Sequence, residues 1–260
     1  MIQENRPTDG PQPLRMDSNH VFKFDCHPGV SCFTHCCRDI TIVLTPYDVL
    51  RLKQSLGISS DEFLDKYAIV IPKKKRLIPL VILKMNEADK RCPFVKQQGC
   101  IVYEDRPWPC RMYPLDVADD GTFHLITDAS TCEGLNEEKE QKIADWLKTQ
   151  GLEPFDEMNE ILSGITFTLH GEEFKGIDNP KVAKMVFMAL YNLDKFREFV
   201  FKSTFLNRFH VEPETIEAIK TDDCELLKFA YDWIKFGLFG EKLFWVKEQP
   251  SQQSFPGKQE

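Results

Sequence analysis

Twelve residues, CHPGVSCFTHCC at positions 26–37, hold four cysteines and two histidines and end on two adjacent thiols. A stretch this rich in sulfur is held by disulfides, by a metal or by an iron–sulfur cluster, and each alternative builds a different fold around it. The N-terminal residues MIQENRPTDGPQPLRM are polar and proline-rich, with no apolar stretch and no small-residue cleavage site, so no secretory signal is expected. Nowhere does the chain run to roughly eighteen consecutive apolar residues, so no transmembrane helix is expected either. Both readings point to the cytoplasm, where thiols stay reduced, and disulfides become the least expected fate of the cysteines.

Eight of the nine cysteines fall between residues 26 and 132: Cys26, Cys32, Cys36, Cys37, Cys92, Cys100, Cys110 and Cys132. Their neighbours are Pro, Gly, Arg and His in loop-like sequence, where no apolar gap asks to be filled. Cys224 stands alone on a predicted amphipathic helix and reads as a small buried hydrophobe. Thiolates are soft ligands suited to zinc and to iron–sulfur clusters. Only Cys32 and Cys36, or Cys32 and Cys37, have the short spacing common in structural zinc sites. Seven residues separate Cys92 from Cys100 and nine separate Cys100 from Cys110, spacings compatible with a cluster held by scattered loops. Spacing alone leaves the metal open. The side chains of adjacent Cys36 and Cys37 are expected to diverge, each facing a different metal, or one ligating while the other packs or reacts. His27, His35 and His124 are spare nitrogen ligands.

Arg38, Arg91, Arg106 and Arg111 each lie within four residues of a cysteine. A four-thiolate zinc site carries a net charge of about −2, which guanidinium groups can offset while donating hydrogen bonds to sulfur. Arg106 and Arg111 bracket Cys110 within RPWPCR and are therefore the candidates for contact with the bound group. The whole chain carries a formal charge of −8, which argues against nucleic acid or an anionic membrane as partner. KKKR at 73–76 reads as one solvated patch.

Along the chain, residues 1–19 lack hydrophobic periodicity and read as a flexible arm. ITIVL (40–44) is a strand candidate, and Thr45-Pro46 then caps a helix with Val49, Leu52 and Leu56 on one face and Gly57 at its end. Ser59 or Ser60 caps a second helix. IVIPKKK and RLIPLVILKM read as a hairpin or two short strands, with Pro79 confining one strand to an edge or bulge. Residues 92–116 read as loop or single-turn structure, and FHLITD (123–128) as one more strand. From NEEKEQKIADWLKTQG onward the pattern is helical. VAKMVFMALYNLDKFREFVF reads as one long helix at the centre of a bundle, and CELLKFAYDWIKFGLFG as the last helix. The expected fold is α+β, mainly α: a loop-rich cysteine-cluster half with a few short strands, then a helical C-terminal half. The expected organisation is an arm (1–19), a cysteine-cluster metal-binding domain (20–135), a helical region (136–245) and a polar tail (246–260).

CHPGVSCFTHCC, followed by ITIVLTPYDVLRLKQSLG and then CPFVKQQGCIVYEDRPWPCRMYP, resembles the YkgJ-type cysteine-cluster family, a zinc- or iron-chelating domain that also occurs in flagellin lysine N-methylases. The second segment carries the family's spacing through Cys92, Pro93, Phe94, Cys100, Tyr103, Glu104, Arg106, Pro107, Cys110, Arg111, Tyr113 and Pro114. The first departs from it, with C-x5-C-x3-C-C in place of the tighter CxxCxxCC. The resemblance implies that the metal ligands are drawn from the eight clustered cysteines. An iron–sulfur cluster serving redox or protein-lysine methyl-transfer chemistry is one function it implies. The alternative is a non-catalytic zinc-binding interaction module with an unidentified protein or small-molecule partner. The CxxxCxxC triplet of radical-SAM enzymes is missing, since Asp39 stands where its last cysteine would fall, and no GxGxxG stretch marks a nucleotide site. Whether the chain is an enzyme is left open.

Overall fold

A computed structural model describes residues 14–72, 78–171 and 179–247. Residues 1–13 of the expected arm, the basic run from Lys73 and nearly all of the expected polar tail lie outside them. The architecture is α+β and mainly α, as the sequence predicts, with short strand pairs in the cysteine-rich half and helices filling the C-terminal half. No helix among the described residues is long and apolar enough to cross a membrane.

Helix α1 (Pro46–Leu56) begins and ends where its local chemistry dictates. The Thr45 hydroxyl accepts from the Asp48 N–H at 3.3 Å, and Asp48 Oδ2 accepts from the Thr45 N–H at 2.8 Å. Gly57, at φ 64°, closes the helix in a left-handed conformation that suits glycine. Val49 and Leu52 face the core and Leu56 packs at its margin. Ser59 caps α2 (Ser60–Tyr67), which leads into strand β2 (Ala68–Ile71), paired antiparallel with β3 (Leu80–Leu83). Pro79 falls just before β3, where its missing N–H does no harm. The predicted strand at 40–44 is only partly realised. Leu44 N donates to Val81 O and Leu83 N to Ile42 O, so the segment lies along β3, but the cap at Thr45 turns it into α1 after a single bridge.

The C-terminal half buries its apolar surface around α10 (Asp223–Phe239), which packs on α1, α5 (Glu153–Gly171), α6 (Pro180–Tyr191), α7 (Leu193–Lys202) and α9 (Pro213–Thr221). That central position was expected of residues 182–201, which instead split into α6 and α7 at Asn192. The Asn192 side chain accepts from Lys195 N and donates to Asp61 Oδ1 at 2.7 Å, so a cap and a distant partner together interrupt the helix. Helical structure also starts later than expected after residue 136. Residues Glu140–Lys142 form a strand, β8, on β1 (Val21–Lys23), and only then does α4 (Ile143–Thr149) begin.

Two hydrophobic cores result. The larger joins α1, α2 and β3 to the C-terminal helices and includes Leu52, Phe63, Phe196 and Leu226. The smaller packs Phe22, Phe24, Met112, Ile143 and Trp146, with the Trp146 ring edge-on to both phenylalanines. A short helix, α3 (Trp108–Met112), lies between them, and Trp108 touches both.

Candidate metal centre

Three chain segments carry the eight cysteines, and backbone hydrogen bonds tie them together. In the first, successive turns bring His35 N to Cys32 O at 2.8 Å and Cys37 N to Thr34 O at 3.1 Å. Thr34 takes a left-handed φ of 66°, uncommon for a β-branched residue, and this turns the chain into the single 3₁₀ turn that presents Cys36 and Cys37. The second segment is zipped to the first: Cys92 N donates to Cys37 O at 2.8 Å and Asp39 N to Lys90 O at 2.8 Å. Past Cys92 a tight hairpin, β4 (Val95–Lys96) and β5 (Gly99–Cys100), sets Cys100 opposite Val95. Gly99 has φ 114°, and a Cβ there would meet the Phe33 ring at 3.3 Å, so both backbone and packing favour glycine. Cys110 rides on α3, whose first N–H, that of Trp108, is held by the fully buried Asp48 Oδ1 at 2.8 Å.

The third segment reaches back to the first. Glu133 accepts from Ser31 N at 2.9 Å and from the Ser31 hydroxyl at 2.6 Å, and its own N–H points at Cys32 Sγ at 3.2 Å. Asp25 N donates to Gly134 O at 2.9 Å. Cys132 itself is fixed by its N–H on Asp128 O.

Four of the sulfurs, those of Cys32, Cys92, Cys100 and Cys132, have hydrogen-bond donors directed at them. Cys92 accepts from the backbone N–H groups of Phe94 and Val95, and Cys100 from that of Val102. Cys132 accepts from the Tyr113 hydroxyl and from the Gly134 N–H. Such donors offset the charge of thiolates bound to metal. Without a cation, burial dominates: it pushes Cys26 and Cys92 up to about 11 and raises Cys100, Cys110 and Cys132 as well. Neighbouring cysteines add to the rise at Cys26, Cys92, Cys110 and Cys132. A bound cation reverses that preference and holds coordinated thiols deprotonated.

The adjacent pair departs from expectation. Cys36 Sγ and Cys37 Sγ lie 4.0 Å apart rather than diverging, and the hydrogen bond between them pulls Cys36 down and pushes Cys37 up. Among the described residues, no three His, Cys, Asp or Glu side chains are drawn together tightly enough to hold a metal ion. The donor chemistry of the cysteines fits a thiolate-bound group.

The arginines do something other than what their position suggests. Arg111 Nε donates to Arg106 O at 2.9 Å, and its two terminal nitrogens donate to the carbonyls of Gln150, Gly151 and Glu104. Its guanidinium also stacks over Phe155, 4.3 Å from the ring centroid. Arg106 donates to Tyr103 O and Gln150 Oε1 and covers the Tyr103 ring. Both side chains are buried and clasp the loop after β5 to the α4–α5 turn. Arg106 still eases the ionisation of Cys100 through its charge. The histidines are likewise occupied or apart: His27 Nδ1 accepts from Gly29 N, His35 is exposed, and the buried His124 Nδ1 has no hydrogen-bond partner among the described residues. Cys224 packs at the edge of the larger core.

The N–H donors, the Tyr113 hydroxyl and the role of Asp48 are not readable from spacing. Only the Cys-Pro-Phe-Val turn and the tyrosine three residues beyond Cys110 hint at them.

Eight thiols on three chain segments joined by backbone hydrogen bonds define a cysteine-rich domain whose donor chemistry suits a soft metal. Residues 25–143 match the CxxCxxCC family, described as a putative zinc- or iron-chelating domain, and the match supports metal binding. No curated protein and no solved structure matches the chain.

Proposed function

We propose that the domain holds an iron–sulfur group through its eight clustered thiolates and serves redox chemistry in the cytoplasm. The observation that carries this reading is the set of N–H and O–H donors directed at Cys32, Cys92, Cys100 and Cys132. Donors of this kind tune the potential of a cluster. Methyl transfer to protein lysines would be a use of such a centre suggested by family resemblance alone.

A second reading, structural zinc in an interaction module, is favoured by the burial of Cys92 in the larger core and Cys132 in the smaller one. Ligation there would staple two cores and contribute folding free energy directly. Iron, zinc and acid-labile sulfide measured on protein purified without air separate the two. Equal iron and sulfide with visible charge-transfer absorption is expected. Colourless protein holding zinc would replace the first reading with the second, and metal-free protein would end both.

A further inference from the structure

We infer that the eight thiolates form two separate four-sulfur centres, Cys26, Cys32, Cys36 and Cys132 in one and Cys37, Cys92, Cys100 and Cys110 in the other. The adjacent Cys36 and Cys37 supply one ligand to each. The inference rests on the reading that these thiolates bind metal, and it adds how many centres there are and which sulfur serves which.

Packing divides the cysteines first. Cys37, Cys92, Cys100 and Cys110 all belong to or pack against the larger hydrophobic core, whereas Cys132 belongs to the smaller. Backbone pairing divides them the same way. Cys37 is joined to Cys92 by the Cys92 N–H, and Cys92 and Cys100 lie at the two ends of one short hairpin. On the other side, Glu133 grips Ser31 with its carboxylate and Cys32 with its N–H, while Asp25 is bonded to Gly134. These contacts gather Cys26, Cys32 and Cys132 around one loop.

Cys36 completes the first set: it follows Cys32 by one tight turn, in which the His35 N–H donates to Cys32 O at 2.8 Å, and it lies where the chain passes from one set to the other. The 4.0 Å contact between Cys36 and Cys37 is thus the place where two groups of sulfurs abut, with the backbone between the two residues fixing their separation. Adjacent residues can serve two neighbouring centres without any further linker, which gives the doubled cysteine a purpose that a single site does not.

The test uses the whole chain purified without air, with metal counted per chain. Cys32→Ser and Cys37→Ser are each expected to lose half the metal. The double variant Cys32→Ser/Cys36→Ser, confined to one set, should lose no more than half, whereas Cys32→Ser/Cys37→Ser should lose all of it. Cys224→Ser should keep the full amount. A second measurement needs no variant: a chelator withdraws metal from the wild-type protein while a thiol-alkylating reagent marks each freed cysteine, read by mass spectrometry. Labelling in two groups of four, matching the sets above, is expected. Eight cysteines freed together, or equal loss from the two double variants, would overturn the division while leaving thiolate binding intact. Wild-type protein without metal would instead overturn the underlying reading and the division with it.

Discussion

Arg111→Ala should destabilise the fold by about 4 kcal/mol without lowering metal content per folded chain. The side chain is 5% exposed and gives hydrogen bonds to four main-chain carbonyls on two segments, at Glu104, Arg106, Gln150 and Gly151. A hydrogen bond from a charged group contributes about 1.5–3 kcal/mol, but water entering the vacated space restores part of that to the carbonyls. Four carbonyls that each lose a donor, at about 1 kcal/mol apiece once water has partly replaced it, give about 4 kcal/mol. With 260 residues and about 2.1 cal/mol/K of unfolding entropy per residue, the melting temperature should fall by about 7 °C. Arg111→Lys should recover less than half of this, because a point charge with three donors cannot span carbonyls on both segments. The assay is thermal and urea unfolding of metal-loaded protein, with metal counted before unfolding. A shift under about 2 °C would refute the clasp. Metal loss with unchanged unfolding would return Arg111 to the sulfurs, where its place beside Cys110 suggests it.

Acid should weaken the helical half. Burial pushes the Asp194 and Asp223 carboxyls up, but hydrogen bonds and the charge of Lys53 outweigh this at both, with Arg197 adding at Asp223, and both end below the usual carboxylate range. Their stabilisation is therefore fully present above the unfolded value of about 4 and is lost as pH falls through the depressed values, as a urea series from pH 6 to pH 2 should show. Lys53→Met should flatten that dependence; an unchanged slope would contradict it. Asn192→Ala removes both the α7 cap and the bond to Asp61, and should cost about 1–2 kcal/mol in urea unfolding; no loss would mean that the helix break is set elsewhere. Tyr113→Phe deletes the donor to Cys132, a loss of about 1 kcal/mol, and should shift the midpoint potential or the metal-release rate, whereas values equal to wild type would remove the hydroxyl from the site.

Helix α1 was legible because Thr45, Pro46, Asp48 and Gly57 act on the chain within a turn of themselves. The break at Asn192 was not, because its bond to Asp61 crosses 131 positions of sequence. Residues 140–142 follow the same logic: a charged, helix-favouring stretch becomes a strand because β1 offers it a partner. At the candidate site, composition and neighbours single out eight candidate thiols, but contacts between their segments, such as Cys92 N to Cys37 O and Glu133 N to Cys32 Sγ, cross long stretches of sequence and are not readable from it. The arginines show the limit most clearly. Charge and proximity in sequence point Arg106 and Arg111 toward sulfur, yet the α4–α5 turn brings carbonyls within closer reach, and a guanidinium with five donors satisfies several of them at once.

The central claim is that thiolates hold the metal. X-ray absorption at the iron or zinc edge of the anaerobically purified chain tests it directly. The account predicts an inner shell of sulfur alone, at about 2.3 Å if the metal is zinc. An inner shell dominated by nitrogen or oxygen at about 2.0–2.2 Å would contradict it.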